Sequence, residues 1–96
     1  MADFRLRPEA LHDLGAIWEY TVDQWDSDQA AKYLRLLNAN LEKLAQNPEF
    51  GRPCNWIRQG YRKHLVGKHV IFYRIADTYV DVVRVLHQSM DFDRHL

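Results

Sequence analysis

The chain is expected to fold as a single α+β domain over residues 1–96, a small antiparallel sheet with an N-terminal helical hairpin on one face. Three observations predict it. Two runs rich in β-branched and aromatic residues flank Asp77-Thr78, as in a strand, a tight turn and a second strand. Between Pro8 and Asn47 apolar residues recur at helical spacing in two stretches. A Pro- and Gly-rich segment separates that half from the strand-rich half. The element order is β-α-α-β-β-β.

Asp3 to Arg7 alternates polar and apolar, as a short strand with Phe4 and Leu6 inward would. Pro8 suits the first position of a helix, where its missing N–H costs nothing. Leu11, Leu14, Ile17, Trp18, Thr21, Val22 and Trp25 then form the inner face, with Asp13, Glu19 and Asp23 mostly outside. Either Asp26 or Ser27 can cap the second helix, whose face is Ala30, Tyr33, Leu34, Leu37, Leu41 and Leu44 and which stops near Asn47-Pro48. Asn47 to Gly60 reads as a loop pinned by Phe50 and Trp56, and Tyr61 to Val66 as a strand turning at Gly67.

With a two-residue loop at Asp77-Thr78, Arg74 lies opposite Asp81, Phe72 opposite Val83, Val70 opposite Val85 and Lys68 opposite His87. The other face carries Ile71, Tyr73 and Ile75 beside Val80, Val82 and Leu86. A one-residue slip would exchange the faces, and the Arg74–Asp81 pairing supports this register. Ser89 to Leu96 reads as a short capped helix or an ordered tail with Met90, Phe92 and Leu96 apolar.

An apolar share of 47% with three tryptophans argues for a folded globule. Formal charge is zero but unevenly spread: between Glu49 and Asp77 stand Arg52, Arg58, Arg62, Lys63, Lys68 and Arg74 with no acid. The single cysteine, Cys54, excludes an internal disulfide framework and suits a reducing compartment. No apolar run approaches the ~20 residues of a membrane span and no signal-peptide pattern is present, so a cytoplasmic protein without membrane contact is expected.

Few residues suggest chemistry. The five histidines show no ligand spacing, so no metal is expected, and with no glycine-rich phosphate loop no cofactor is expected either. The basic segment 52–74, interleaved with Trp56, Tyr61 and Phe72, could meet RNA or DNA, or could be a solvated strand face offset by the acidic helices. Arg62, Lys68, Arg74 and His87 form the one cluster suited to general acid–base work on a phosphodiester.

The helices can cover one sheet face. The other, Val70, Phe72, Val83 and Val85 framed by Lys68, Arg74, Asp81 and His87, is left as an apolar patch rimmed by charge. The C-terminal tail could fold back over it with Met90 and Phe92. Alternatively a partner segment, disordered when free, folds onto it with its acids toward Arg62, Lys68 and Arg74.

Several stretches are similar to a known family: Leu-Arg-Pro-Glu-Ala-Leu-His-Asp-Leu from Leu6, Ile-Trp-Glu-Tyr-Thr from Ile17 and Asn-Pro-Glu-Phe-Gly-Arg-Pro from Asn47. Gly-Lys-His-Val-Ile-Phe-Tyr-Arg from Gly67 and Val-Val-Arg-Val-Leu-His-Gln-Ser-Met-Asp from Val82 complete the set. In this order they resemble the ParE-type toxins of the RelE/ParE superfamily over nearly the whole chain. The resemblance implies the toxin of a type II toxin–antitoxin module, active in growth arrest and plasmid maintenance. It also implies DNA gyrase as target, a ParD-like antitoxin in a hetero-oligomer, and no direct nucleic-acid contact. It places toxicity at the C-terminal end, taken here as His87, Met90, Phe92, Arg94 and Leu96.

The RelE branch cleaves messenger RNA on the ribosome, which makes a ribonuclease the second reading; a non-toxic interaction domain is the third. Such nucleases tend to place an arginine after Gly-Lys-His and an acid–base group near the end of the last strand. Val70 and Gln88 stand there in this chain, and neither stabilises phosphate charge or transfers a proton. The expectation is therefore a non-enzymatic toxin.

Overall fold

Strand β1 (Phe4–Leu6) leads through Pro8 into helix α1 (Pro8–Gln24), and Asp26 caps α2 (Ser27–Gln46) by accepting a 2.7 Å bond from the Gln29 N–H. A 3-10 turn (Pro48–Phe50), the two-residue strand β2 (Arg52–Pro53), β3 (Tyr61–Val66), β4 (His69–Ile75), β5 (Val80–His87) and a terminal turn of helix, α3 (Phe92–His95), follow. This computed structural model describes residues 3–96. Among these residues the sheet has five strands in the order β1-β5-β4-β3-β2.

Two features depart from the expected meander. The loop after α2 contributes the short strand β2, pairing Arg52 with Lys63 and Pro53 with Arg62. Strand β1 runs parallel to β5, Phe4 to Val80 and Leu6 to Val82, because the helical hairpin carries the chain back across the sheet.

The sheet face under the helices is the main core. Ala10 and Ile17 from α1 and Leu37, Leu41 and Leu44 from α2 close on Ile71, Tyr73, Val80, Val82 and Val85. Tyr73 also anchors the loop after α2, donating to the Pro48 carbonyl at 2.6 Å and accepting from the Gly51 N–H at 2.8 Å. Gly51 is required there, since a Cβ would lie 2.3 Å from the tyrosine oxygen. Phe50 and Trp56, expected to pin this loop, are instead exposed.

Helix α1 is rotated from the expected face. Its inner residues are Ala10, Asp13 and Ile17, while Leu11, Trp18 and Trp25 are 61%, 39% and 74% exposed. The reason lies at the edge of β5, which β1 pairs only from Val80 to Val82. Beyond that point a carboxylate takes the partner strand's place. Asp13 accepts the Val85 N–H at 3.0 Å and a two-pronged bond from the Arg84 guanidinium at 2.7 Å.

The β4–β5 register agrees at the turn, with Ile75 opposite Val80, Arg74 opposite Asp81 and Tyr73 opposite Val82. A bulge at Val83 then shifts it, setting Phe72 against Arg84, Val70 against Leu86 and His69 against His87. One inserted residue exchanges the faces of everything beyond it. Val85 therefore joins the core under the helices, and Leu86, assigned to that core from the sequence, joins Val70 and Phe72 on the opposite face.

That opposite face is not an open patch. Val70, Phe72, Leu86 and Cys54 form a second buried cluster covered by Ile57, Tyr61, Phe92 and Leu96. The Phe72 and Phe92 rings meet edge-on with centroids 4.7 Å apart. Arg58 holds the Leu96 carbonyl and Arg84 donates to the His95 carbonyl at 3.1 Å. The tail folds back through Phe92 and Leu96, while Met90 stays exposed.

Asp13→Ala strands the Val85 N–H and removes the carboxylate from a largely buried guanidinium, a loss of about 2–4 kcal/mol. Urea titration should show the midpoint falling accordingly with little change in slope, a large fraction of the ~5–15 kcal/mol of an ordinary domain.

Candidate functional site

Arg62, Lys68, Arg74 and His87, the one cluster suited from the sequence to acid–base work, are dispersed. Arg62 donates to the Gly51 and Glu49 carbonyls at 2.7 and 3.2 Å, holding the loop after α2. Arg74 is bound to Asp81 at 2.7 Å, and Arg7 approaches the same carboxylate at 2.8 Å. The Arg7 hydrogen bond holds the Asp81 carboxyl below its ordinary range. Lys68 is exposed at the β3–β4 turn, where Gly67 takes a positive φ of 57°. Among the described residues no group of three or more His, Cys, Asp or Glu side chains is gathered as a metal site.

The bulge moves His87 to the helix side, edge-on to His69 with ring centroids 5.3 Å apart. Its Nδ1 accepts the Ser89 N–H at 3.1 Å and lies 2.7 Å from the Ser89 hydroxyl. His69 Nδ1 lies 2.6 Å from the hydroxyl of Tyr33 on α2, which also accepts the Lys68 N–H at 3.2 Å. Burial, reinforced by His87, lowers the His69 pKa to about 4. The two imidazoles line a cleft of about 410 Å3 with Ile17 and Tyr20 of α1, Ser89 and Met90.

The five C-terminal residues assigned to toxicity are thus divided. His87 and Met90 face the helix-side cleft; Phe92 and Leu96 cover the second cluster; Arg94 is exposed on α3. The face assigned to the antitoxin is divided too. Val70 and Phe72 lie under the tail, Val83 is the buried bulge residue, Val85 is in the main core, and Arg62 and Arg74 are engaged within the protein. Tail removal uncovers Phe72, so residues 90–96 are part of the folded unit rather than an appendage.

Two other surfaces stand out. Leu11 and Trp18 on α1 and Trp25 at its C-terminal cap recur every seven residues and are all exposed, an apolar stripe along the helix. On the far side of the sheet, a groove of about 620 Å3 runs between β2–β3 and α3, lined by Phe50, Arg52, Lys63, Leu65, Gln88 and Phe92 among others. Asp13, expected on the outer face, is buried; Leu11, Trp18 and Trp25, expected on the inner face, are exposed; and His69 had no role expected from the sequence. The 3-4 spacing of Ala10, Asp13 and Ile17 was the available signal for Asp13; the His69–His87 pairing had none, because it exists only beyond the bulge.

Residues 4–92 match the family model described as ParE toxin of type II toxin-antitoxin system, parDE. Toxin ParE1 of Mycobacterium tuberculosis is 49% identical over 94 residues, covering 97% of this chain and 96% of the relative. The chain belongs to the ParE toxins of type II toxin–antitoxin systems. Toxin ParE1 of Caulobacter vibrioides is 44% identical over 96 residues, covering 100% of this chain and 99% of that toxin. A solved structure titled "Chromosomal ParDE TA system from P. aeruginosa" shares the fold, with a TM-score of 0.79 at 20% identity over 91% of this chain and 96% of the other. Among the described residues of this ParE toxin, no helix is long and apolar enough to cross a membrane.

The lowered pKa of His69 sets a pH dependence. The fold favours the neutral ring, so its contribution is complete above the unfolded value near 6.5 and is lost as pH falls toward 4. His64, lowered in the same sense by burial, adds to the loss. The melting temperature should decline through this window, and His69→Gln should flatten most of the decline; an unchanged profile would remove His69 as its source.

Proposed function

We propose that this toxin arrests growth by acting on DNA gyrase without catalysing a reaction, and that an antitoxin of the ParD kind neutralises it in the cytoplasm. The observation that carries the non-enzymatic reading is the fate of the cations. Arg62, Arg74 and Arg84 are each spent on main-chain carbonyls or buried carboxylates, and His87 lies on the helix side of the sheet, away from Arg52 and Lys63. Phosphodiester cleavage needs charge stabilisation and proton transfer converging on one atom. The buried Val70 and the amide Gln88 add neither function.

Purified toxin, gyrase and supercoiled plasmid should together yield cleaved DNA–gyrase complexes, while ribosome-bound messenger stays intact. Ribosome-dependent cleavage that disappears in His87→Ala would instead establish the nuclease.

The antitoxin seat follows from which apolar groups remain in water. Docking on Val70 and Phe72 would require lifting residues 92–96, whereas Leu11, Trp18 and Trp25 already present an exposed stripe suited to an amphipathic helix laid along α1. Tryptophans in such positions are typical binding hot spots, each worth ~2 kcal/mol or more. Trp25→Ser with Leu11→Ser should weaken binding of the antitoxin encoded beside the toxin by at least about tenfold. The variant should melt within a few degrees of wild type. Undiminished affinity would move the seat to the tail-covered face.

A further inference from the structure

We propose that the groove between β2–β3 and α3 is a binding site for single-stranded nucleic acid, with Arg52 and Lys63 on its phosphates and Trp56 as a stacking platform. The inference is independent of gyrase as target, and it contradicts the absence of nucleic-acid contact implied by the family resemblance.

Charge is the first argument. Of the four clefts described on this toxin, the others include Asp13, Asp3 with Glu42, or Asp77 in their walls; this one contains no carboxylate. Arg52 and Lys63 are direct partners across β2 and β3, which sets both on the same side of the sheet at the groove wall. Among the described residues, the ion pairs are Arg7–Asp81, Arg74–Asp81 and Arg84–Asp13, so neither groove cation is neutralised by a neighbouring carboxylate. The other arginines of the basic segment hold the fold together; these two cations remain available to a ligand.

The second argument is the display of Trp56. It is 72% exposed, yet the loop that carries it is closely tied. The Cys54 N–H bonds the Tyr61 carbonyl at 2.8 Å, the Ile57 N–H bonds the Cys54 carbonyl at 2.9 Å, and the Asn55 side chain accepts the Gly60 N–H at 2.7 Å. Ile57 and Cys54 turn inward to the second cluster, so the loop is anchored while the indole is held outward. Nothing in the core uses that ring. Lys63 Nζ stands 5.3 Å from its centroid, which places a cation and an aromatic face side by side.

Adjacent backbone-neutralising cations and exposed aromatic faces are how proteins hold unpaired strands without reading their sequence. An acidic protein segment would use the cations but gain little from the indole face, so the tryptophan favours nucleic acid. Exposed bases for stacking are a property of single strands, and DNA and RNA share this chemistry.

The test uses the full-length toxin alone. Fluorescence anisotropy is measured with labelled oligo-dT and oligo-rU of about twelve nucleotides, a matched duplex, and poly-glutamate as competitor. Both single strands should bind more tightly than the duplex, with log K falling linearly in log salt. Arg52→Ala should reduce that slope by about 0.7, one phosphate's share. Trp56→Ala should weaken binding about fivefold or more with the slope unchanged. Lys32→Ala, an equal loss of charge on exposed α2, should alter neither, and thermal melts establish that each variant is folded. A preference between dT and rU assigns the physiological strand. Absence of binding at about 50 mM salt overturns the proposal, as does binding indifferent to Arg52→Ala and Trp56→Ala. So does poly-glutamate competition charge for charge in wild type and Trp56→Ala alike, which would make the groove a seat for an acidic protein.

Discussion

The half-paired edge of β5 is the constraint on which the rest of the molecule depends. The eight-residue strand β5 is flanked on one side by a three-residue partner, and beyond that partner its Val85 N–H is buried beside α1 with no strand to pair with. Asp13 supplies the missing acceptor, and Arg84 compensates its charge. A buried main-chain donor without a partner costs as much as several good contacts gain. The helix is therefore turned to bring its carboxylate to the strand. The tryptophans Trp18 and Trp25 go outward as a consequence. The apolar stripe on this toxin's surface and the buried ion pair in its interior are two results of one requirement.

Asp81 ties the same strand at its other end. Arg7, at the start of α1, and Arg74, across the hairpin, share its carboxylate. Between these anchors the bulge at Val83 changes which side chains face the helices. It moves His87 beside His69, places Val85 over α1 and sends Leu86 to the opposite face. Once Leu86 joins Val70 and Phe72, that face carries more apolar surface than a small domain leaves in water, and α3 closes over it. The cationic side chains are sorted by the same geometry into those that hold the structure and those left at a surface. Arg52 and Lys63, on the sheet side opposite the helical hairpin, are of the second kind.

Much of the architecture was legible in the residues themselves. The helices were marked by 3-4 spacing, Pro8 and the Asp26 cap; the hairpin turn at Asp77-Thr78 by β-branched runs and the Arg74–Asp81 pair; and the family by motifs distributed along the chain. These are local properties, in which a few neighbouring side chains determine φ, ψ and burial together. The parallel pairing of β1, the short strand β2, the bulge, the inward turn of Asp13 and the closure of the tail over Phe72 were decided by tertiary structure alone. Each depends on which backbone groups remain unpaired after distant segments have met, and no stretch of sequence contains that count. The candidate sites inherit this division. Residue types such as His87, Arg52 and Trp56 were visible from the start, but whether a cation is spent within the fold or offered to a partner is settled only when its neighbours in space are known.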